Sequence, residues 1–479
     1  MLGGVRKAFL LALALGCGGE RRPRPRPDDA PVAPPPSLSA ILSIPSLDEG
    51  LRPLADLAQD LLPAPPARGG RELVVDLSGI GPDAEARLDG SRPAFVLLFG
   101  PEDPIVWALP LRGRAPVEAP PRGFARVVGE TALVCESGAL LDASEAFVAR
   151  TLARERPDAL SLRILGGPAR ARRTLQVEAL LSGFARDLEA SARQARAETA
   201  APPTIGDPEA VGPLVEDLAR EALGTIPPEG EIVVVASADG SSVRVEVRAP
   251  ASSAVPSGEA PGLPSLEGAL LGWSTVSDET ARLQGARRVI AAFERIAGAR
   301  LGAAERTALA EAAERFARAR GDGAAWTLAP GAVAANFSAS ADQKADALAA
   351  ARSLALLAER GHVRRVLSTL GLHPVTVVEQ PGGVGIRMGP VAAGREVASE
   401  WLLGTTLSAD LHLLRAVAAL GMFGGERATA LASLAGGAPN VPPAHLSVRR
   451  DDGHWQASLV VPRASARELG RVLRRALSN

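Results

Sequence analysis

The chain has 479 residues, which is enough for two or three domains that each bury their own core. Its formal net charge at pH 7 is -1, so no overall electrostatic attraction draws it to nucleic acid, and we expect no nucleic-acid partner. Nearly every cation is an arginine, so a cluster of arginines does not by itself identify a phosphate or carboxylate site.

The first 16 residues have the parts of a secretory signal peptide. The cations Arg6 and Lys7 precede an apolar run at 8–15, which is too short to span a membrane. The segment Ala14-Leu15-Gly16-Cys17 resembles the lipobox of bacterial lipoproteins, although Ala14 stands where leucine is commonest. The resemblance implies that Cys17 carries lipid and becomes the first residue of the mature chain. The alternative is an ordinary signal peptide with an incidental cysteine.

Residues 17–37 follow as a tether rich in proline and arginine. Alternating prolines favour an extended, semi-rigid spacer that cannot form a packed core. In the lipoprotein sorting pattern, Asp after the lipidated cysteine retains the protein in the inner membrane, whereas this chain has Gly18. The resemblance therefore implies a lipid anchor in the outer membrane, with the membrane itself as a partner.

The body of the chain predicts an α+β fold of two related domains, at 38–250 and 265–479, joined by a linker at 251–264 that is rich in turn residues. Hairpins are expected at 94–111 and 375–388, and helices at 277–298 and 341–360, with the helices packed against one face of antiparallel sheets. This alternation of hairpins and helices, with a strand entered at 88–94, resembles the pattern of exported proteins of unknown function. The resemblance implies no activity.

Two further hairpins indicate an internal duplication. Their turns are Asp239-Gly240 and Asp452-Gly453, and each hairpin follows a Pro-Pro pair and a helical stretch. We expect each hairpin to face a core of its own. Val243, Val245 and Val247 would line one core. The residues of the second hairpin that would line the other core are Trp455, Ala457, Leu459 and Val461.

Few residues point to catalytic or metal chemistry. Of the five histidines, His445 and His454 could lie on paired strands and share a metal with Asp451 or Asp452, but the aspartates are also what the turn requires. We therefore expect no metal site, no catalytic residue and no cofactor. Cys135 lies in an apolar strand-like run and is expected to be a buried, inert thiol.

Other motifs have simpler structural interpretations. The string Arg320-Gly321-Asp322 matches an adhesion tripeptide but lies where a helix ends, and the glycines at 382–383 favour a hairpin turn over a dinucleotide loop. The sequon at Asn336 is interpreted as incidental. Four tryptophans in strand-like runs could stack on sugars but are expected to anchor the core: Trp107, Trp273, Trp326 and Trp455. On the last helix, Arg467, Arg471 and Arg474 share a side that could dock an anionic envelope polymer or stand solvated.

Together these features predict a non-enzymatic envelope lipoprotein that binds a protein, polymer or lipid. The alternative is an envelope hydrolase whose site is assembled from residues distant in sequence. A folded site with converging Asp, Glu, His or Ser side chains would favour that alternative.

Overall fold

The structure is a computed structural model, and it places most of the chain beyond the predicted tether. The predicted leader, Cys17, the tether up to residue 29 and the linker at 251–259 lie outside the described residues. Within the described part, no helix is both long and apolar enough to cross a membrane. Apart from short pieces between 178 and 190 and at 401–402 and 433–437, the structure describes residues 30–61, 70–100, 103–121, 123–167, 229–250, 260–297, 301–390, 405–420, 440–451 and 453–478.

In the part of the first half that the structure describes, there are eight strands. They are short and mostly apolar, and each pairs antiparallel with its neighbours. They are β1 (Ala40–Ile44), β2 (Ala94–Leu98), β3 (Val106–Pro110), β4 (Phe124–Val128), β5 (Thr131–Cys135), β6 (Leu160–Ile164), β7 (Ile232–Ala238) and β8 (Ser242–Pro250). The helices with defined bounds are α1 (Arg52–Leu61), α2 (Gly70–Ser78), α3 (Pro82–Glu85) and α4 (Gly138–Arg150), and a 3-10 turn follows at Leu152–Arg154.

The second half begins with β9 (Ala260–Pro261), which pairs with β15 (Trp401–Leu402). Its other strands are β10 (Leu271–Val276), β11 (Gly323–Ala329), β12 (Ala332–Ser338), β13 (Val375–Gln380), β14 (Gly383–Met388), β16 (Thr405–Leu411), β17 (Ala444–Asp451) and β18 (His454–Pro462). Its helices are α5 (Glu279–Ala297), α6 (Ala303–Ala319), α7 (Lys344–Ala358), α8 (Gly361–Thr369), α9 (Leu413–Leu420) and α10 (Arg463–Ser478).

The two halves have the same topology. Among the described residues, sixteen strands form one antiparallel sheet, and β8 of the first half pairs with β18 of the second at its centre. Counted outward from this pair, the order is β8-β7-β6-β1-β2-β3-β5-β4 in one half and β18-β17-β16-β10-β11-β12-β14-β13 in the other. Each strand of this sheet thus has a counterpart at the same place in chain order and in space. The matching order confirms both the α+β class and the predicted internal repeat.

The central pair relates the halves by an approximate twofold axis normal to the sheet. Glu246 lies opposite Ser458 in the middle of the pair, and the first residue of each strand faces the last residue of the other. The prediction that the two hairpins face separate cores is wrong. Val245 pairs directly with Leu459, and Val247 with Ala457, and direct partners share one side of a sheet.

The two predicted turns also differ. Gly453 has φ +79°, as the turn requires, whereas Gly240 does not adopt the left-handed conformation. In the first hairpin the Asp239 carboxylate closes the turn instead, because it accepts hydrogen bonds from the backbone N–H groups of Ser241 and Ser242, both at 2.7 Å. These bonds and that of the Ser241 hydroxyl lower the pKa of Asp239 to about 2.

In the first half, cores lie on both sides of the sheet, so the prediction of helices on one face is wrong there. Alternation along β2 sends Val96 to one side, where α2 contributes Val74, and Leu97 to the other, where α4 contributes Phe147. Strands buried on both faces are apolar throughout, and β2 and β5 follow that rule.

In the second half, helices cover the side of the sheet that carries Trp326 and Phe337. The opposite side is polar, and part of the predicted linker covers it. The Ser274 hydroxyl donates to the carbonyl of Pro261, and the Thr327 hydroxyl donates to that of Pro264 at 2.6 Å. Residues 260–264 therefore lie on the sheet and are not free.

Two helix starts differ from the sequence expectation. Asp278, not Ser277, caps α5, because its carboxylate accepts from the N–H of Ala281 at 2.8 Å. The next predicted helix begins at Lys344, after a turn in which the Ser340 hydroxyl donates to the Gln343 side chain at 2.8 Å. Both differences are of one to three residues, which is the usual uncertainty of a helix boundary.

Candidate functional site

The structure separates the two histidines considered for metal binding. His445 pairs with Val460 near one end of the last hairpin, and His454 pairs with Asp451 at the other end. Six residues of strand span about 20 Å, so the two rings cannot share an ion, and that hypothesis is wrong. Within the described residues, no group of three or more His, Cys, Asp and Glu side chains could hold a metal.

The adhesion-like tripeptide is part of the packing between α5, α6 and the sheet. Arg320 lies over the Phe337 ring at 5.2 Å from its centroid, and burial lowers the pKa of Arg320 to about 10. Asp322 accepts from the buried guanidinium of Arg282, which also donates to the carbonyl of Ala317 at 2.9 Å. The tripeptide therefore belongs to the turn between α6 and β11, as its position at a helix end predicted, although the Asp322 side chain is 67% exposed.

The arginines of the last helix bind carboxylates of the chain itself. Asp60 on α1 is 7% exposed and accepts from Arg463 Nε at 2.8 Å and from Arg467 Nε at 3.0 Å. Asp56 lies 3.3 Å from Arg463, and Arg471 pairs with Glu468. We call Asp56, Asp60, Arg463 and Arg467 the interhelix clamp, because they join the first helix to the last. These contacts disfavour α10 as a docking site for a polymer.

The remaining motifs have structural roles. Cys135 is buried in β5, which confirms the predicted burial, and burial raises the pKa of its thiol, which is what an inert cysteine requires. Gly382 turns the β13–β14 hairpin with φ +79°. Asn336 of the sequon is 3% exposed and accepts from Gln380 and Arg387. A small cleft beside Arg92 and Arg156 has room for about one water molecule.

The structure brings a different set of polar side chains together on the central strands. Direct cross-strand partners share a side of the sheet, and the pairing of β16, β17, β18 and β8 aligns three rows on the side that carries Glu246. We call this surface the open face. Its polar side chains are Asp410, His445 and Arg244 in the first row, Ser408, Ser447, Ser458 and Glu246 in the middle row, and Arg449, Gln456 and Arg248 in the third row.

Alternation in the sequence creates this surface. Along β8, valines at 243, 245 and 247 point to one side, and charged residues at 244, 246 and 248 point to the other. Gln456 and Ser458 alternate in the same way with Ala457 and Leu459 on β18. The third row is exposed to solvent at Arg449, Gln456 and Arg248, whereas Ser408 of the middle row is buried. The open face is thus a flat, polar area that spans both halves of the repeat.

Most charges on the open face have a nearby counterion. Arg244 lies 3.6 Å from Glu246, and His445 Nδ1 lies 2.6 Å from Asp410 Oδ1. Arg248 and Arg449 differ, because neither guanidinium has an ion-pair or hydrogen-bond partner among the described residues. The third row is accordingly the part of the surface that carries uncompensated positive charge.

Comparison with protein-family models, curated proteins and solved structures found no match. The candidate site therefore rests on geometry. The sequence contains one signal for it, the clean alternation of β8, which is typical of a strand with one solvated face. The sequence did not predict the third row, because the pairing of β8 with β18 joins strands about 210 residues apart, and local patterns do not encode that register.

Proposed function

We propose that this protein is a lipid-anchored component of the bacterial cell envelope, in the outer membrane, and that it acts by binding rather than by catalysis. The lipobox-like segment ending at Cys17 supports the anchor. The observation that carries the binding role is the open face, with two exposed arginines that have no counterion among the described residues. An exposed cation without a partner is available to a ligand at little desolvation cost.

The geometry of the open face favours binding over hydrolysis. A hydrolytic site needs N–H donors aimed at a developing oxyanion, beside the nucleophile. Strand β17 pairs with β16 on one side and β18 on the other, so its backbone N–H groups are used within the sheet. A flat sheet surface of this kind offers hydroxyls, amides and cations for contact, but it excludes little water from a reacting group.

The anchor is tested by Cys17→Ala. Without the acceptor thiol no acyl chain can be attached, so the variant should move from the membrane fraction to the soluble fraction of the envelope. Cys135→Ala, the change at the other cysteine, is the control and should leave the protein on the membrane. Retention of Cys17→Ala on membranes after a high-salt wash would contradict the anchor.

The binding surface is tested by photo-crosslinking in the native envelope. A photoreactive residue at Gln456 faces outward from the open face, whereas one at Leu459 lies three residues along the same strand on the opposite side, where Leu459 is 37% exposed. We expect covalent adducts from position 456 and few from position 459. Equal yields from both positions, or adducts from 459 alone, would contradict a binding role for the open face.

A second candidate function rests on the His445–Asp410 pair. A carboxylate 2.6 Å from Nδ1 orients a histidine as it does in acid–base catalysis, and Ser447 lies two residues along the same strand on the same side. If the chain is a hydrolase built on this pair, purified protein should hydrolyse activated esters, and His445→Gln should abolish the activity. Ester hydrolysis that is absent, or unchanged by the substitution, removes this candidate.

A further inference from the structure

The third row of the open face has the geometry of a site for a repeating anion. Arg449, Gln456 and Arg248 are consecutive cross-strand partners on β17, β18 and β8. Adjacent strands lie about 4.8 Å apart, so the two arginines are separated by about 10 Å across the sheet. The Gln456 amide lies between them on the same side. The row continues through Val233 on β7 to Arg163 on β6. Arginines thus lie on every second strand of the row.

The charges around the row leave two of these arginines available. Arg163 is neutralised by Glu155 at 2.6 Å. Glu246 lies two residues before Arg248 on the same side, but its carboxylate lies 3.6 Å from Arg244. Arg248 and Arg449 have no partner within the described residues, and both are exposed. Two unpaired cations on one straight row attract a ligand with two or more negative charges along its length.

The chemistry of the row selects among polyanions. A guanidinium group binds carboxylate, sulfate or phosphate through paired N–H donors. Between the arginines, Gln456 offers both a donor and an acceptor, and the adjacent middle row offers the hydroxyls of Ser447 and Ser458. Hydroxyl groups of a ligand are the natural partners of these side chains. The third row contains no aromatic ring, which disfavours single-stranded nucleic acid, where bases stack on aromatic side chains.

We infer that the row Arg449-Gln456-Arg248 binds an acidic polysaccharide that presents negative charges about 10 Å apart on one side of its chain, as every second carboxylate of a linear polyuronate does. This inference rests on the proposed function, since it names the ligand class of the open face. The anionic groups contact the two arginines, and sugar hydroxyls contact Gln456 and the serines. The polymer lies across the strands, along the row and over the boundary between the two halves.

The test is binding of purified chain to fluorescently labelled polygalacturonate, with neutral dextran and polyaspartate as comparison ligands. We expect polygalacturonate to bind in a salt-dependent manner and dextran not to bind. The double variant R248Q/R449Q should lower the affinity about 10- to 100-fold, because two charge-assisted contacts are lost. The matched control is R364Q/R365Q, which removes two exposed arginines from α8 and should leave the affinity unchanged.

Gln456→Ala separates sugar recognition from charge alone. It should weaken polygalacturonate about threefold or more while leaving any binding of polyaspartate unchanged. Equal loss with both ligands would overturn the assignment to polysaccharide, and equal affinity of R248Q/R449Q and R364Q/R365Q would overturn the row as the site. If position 456 forms envelope crosslinks but polygalacturonate does not bind, the binding role stands and the ligand assignment fails. Circular dichroism of each variant establishes that the fold is retained.

Discussion

The interhelix clamp should contribute measurably to stability, and Asp60→Ala tests this. The substitution removes a carboxylate that is 7% exposed and leaves the guanidinium of Arg463, itself 13% exposed, without its 2.8 Å partner. Loss of one member of a buried ion pair costs about 3–5 kcal/mol. In the variant, Asp56 still lies 3.3 Å from Arg463, and Arg467 is 55% exposed. We therefore expect a smaller loss of unfolding free energy, about 2–3 kcal/mol.

The assay is urea unfolding of the mature chain. The midpoints of the variants are compared, provided that the free energy of unfolding depends on urea concentration with the same slope in each. The control is Asp142→Ala, which removes a carboxylate that is 66% exposed and leaves Arg126 paired with Glu145. We expect less than about 0.5 kcal/mol from the control. A midpoint for Asp60→Ala that is no lower than that for Asp142→Ala would refute the clamp.

The pH dependence of the clamp has a definite sign. Burial alone would raise the pKa of Asp60, but hydrogen bonds from Arg463 and Arg467 outweigh it and lower the pKa below its ordinary value of 3.8. A lowered folded-state pKa means that the carboxylate contributes stability above the unfolded value and loses it as the pH falls through the folded value. The difference in stability between the native chain and Asp60→Ala should therefore shrink below about pH 4, which acid unfolding of both proteins measures.

Three other outcomes test the fold. Limited proteolysis should cut first at 251–259 and spare 260–264, because the latter segment lies on the sheet; an initial cut at 260–264 would contradict that packing. A maleimide should label Cys135 only after unfolding, since burial raises the pKa of its thiol; rapid labelling of folded protein would show an accessible thiolate. Gly453→Ala should destabilise the chain by about 1 kcal/mol and Gly240→Ala by much less, because only Gly453 has positive φ; equal midpoints in urea would count against this difference.

The sequence predicted local structure well, because local structure depends on neighbours in the chain. The Asp-Gly pairs predicted both central hairpins, and the glycines at 382–383 predicted a turn. It did not predict that β8 and β18 pair, and for that reason it assigned Val245 and Leu459 to separate cores. It also left the arginines of α10 unassigned, since their partner Asp60 lies some 400 residues earlier. Register and ion pairing across such distances are tertiary properties, which hydrophobic periodicity does not encode.

The central structural claim is that β8 and β18 join both halves into one sheet and so create the open face. Hydrogen–deuterium exchange tests it most directly, because amides that donate within a ladder exchange slowly. Peptides covering Ser242–Pro250 and His454–Pro462 should be protected to the same degree as the inner strand at Ala94–Leu98. If both central strands exchange as fast as exposed loops while Ala94–Leu98 stays protected, the halves are separate bodies and no shared binding face exists.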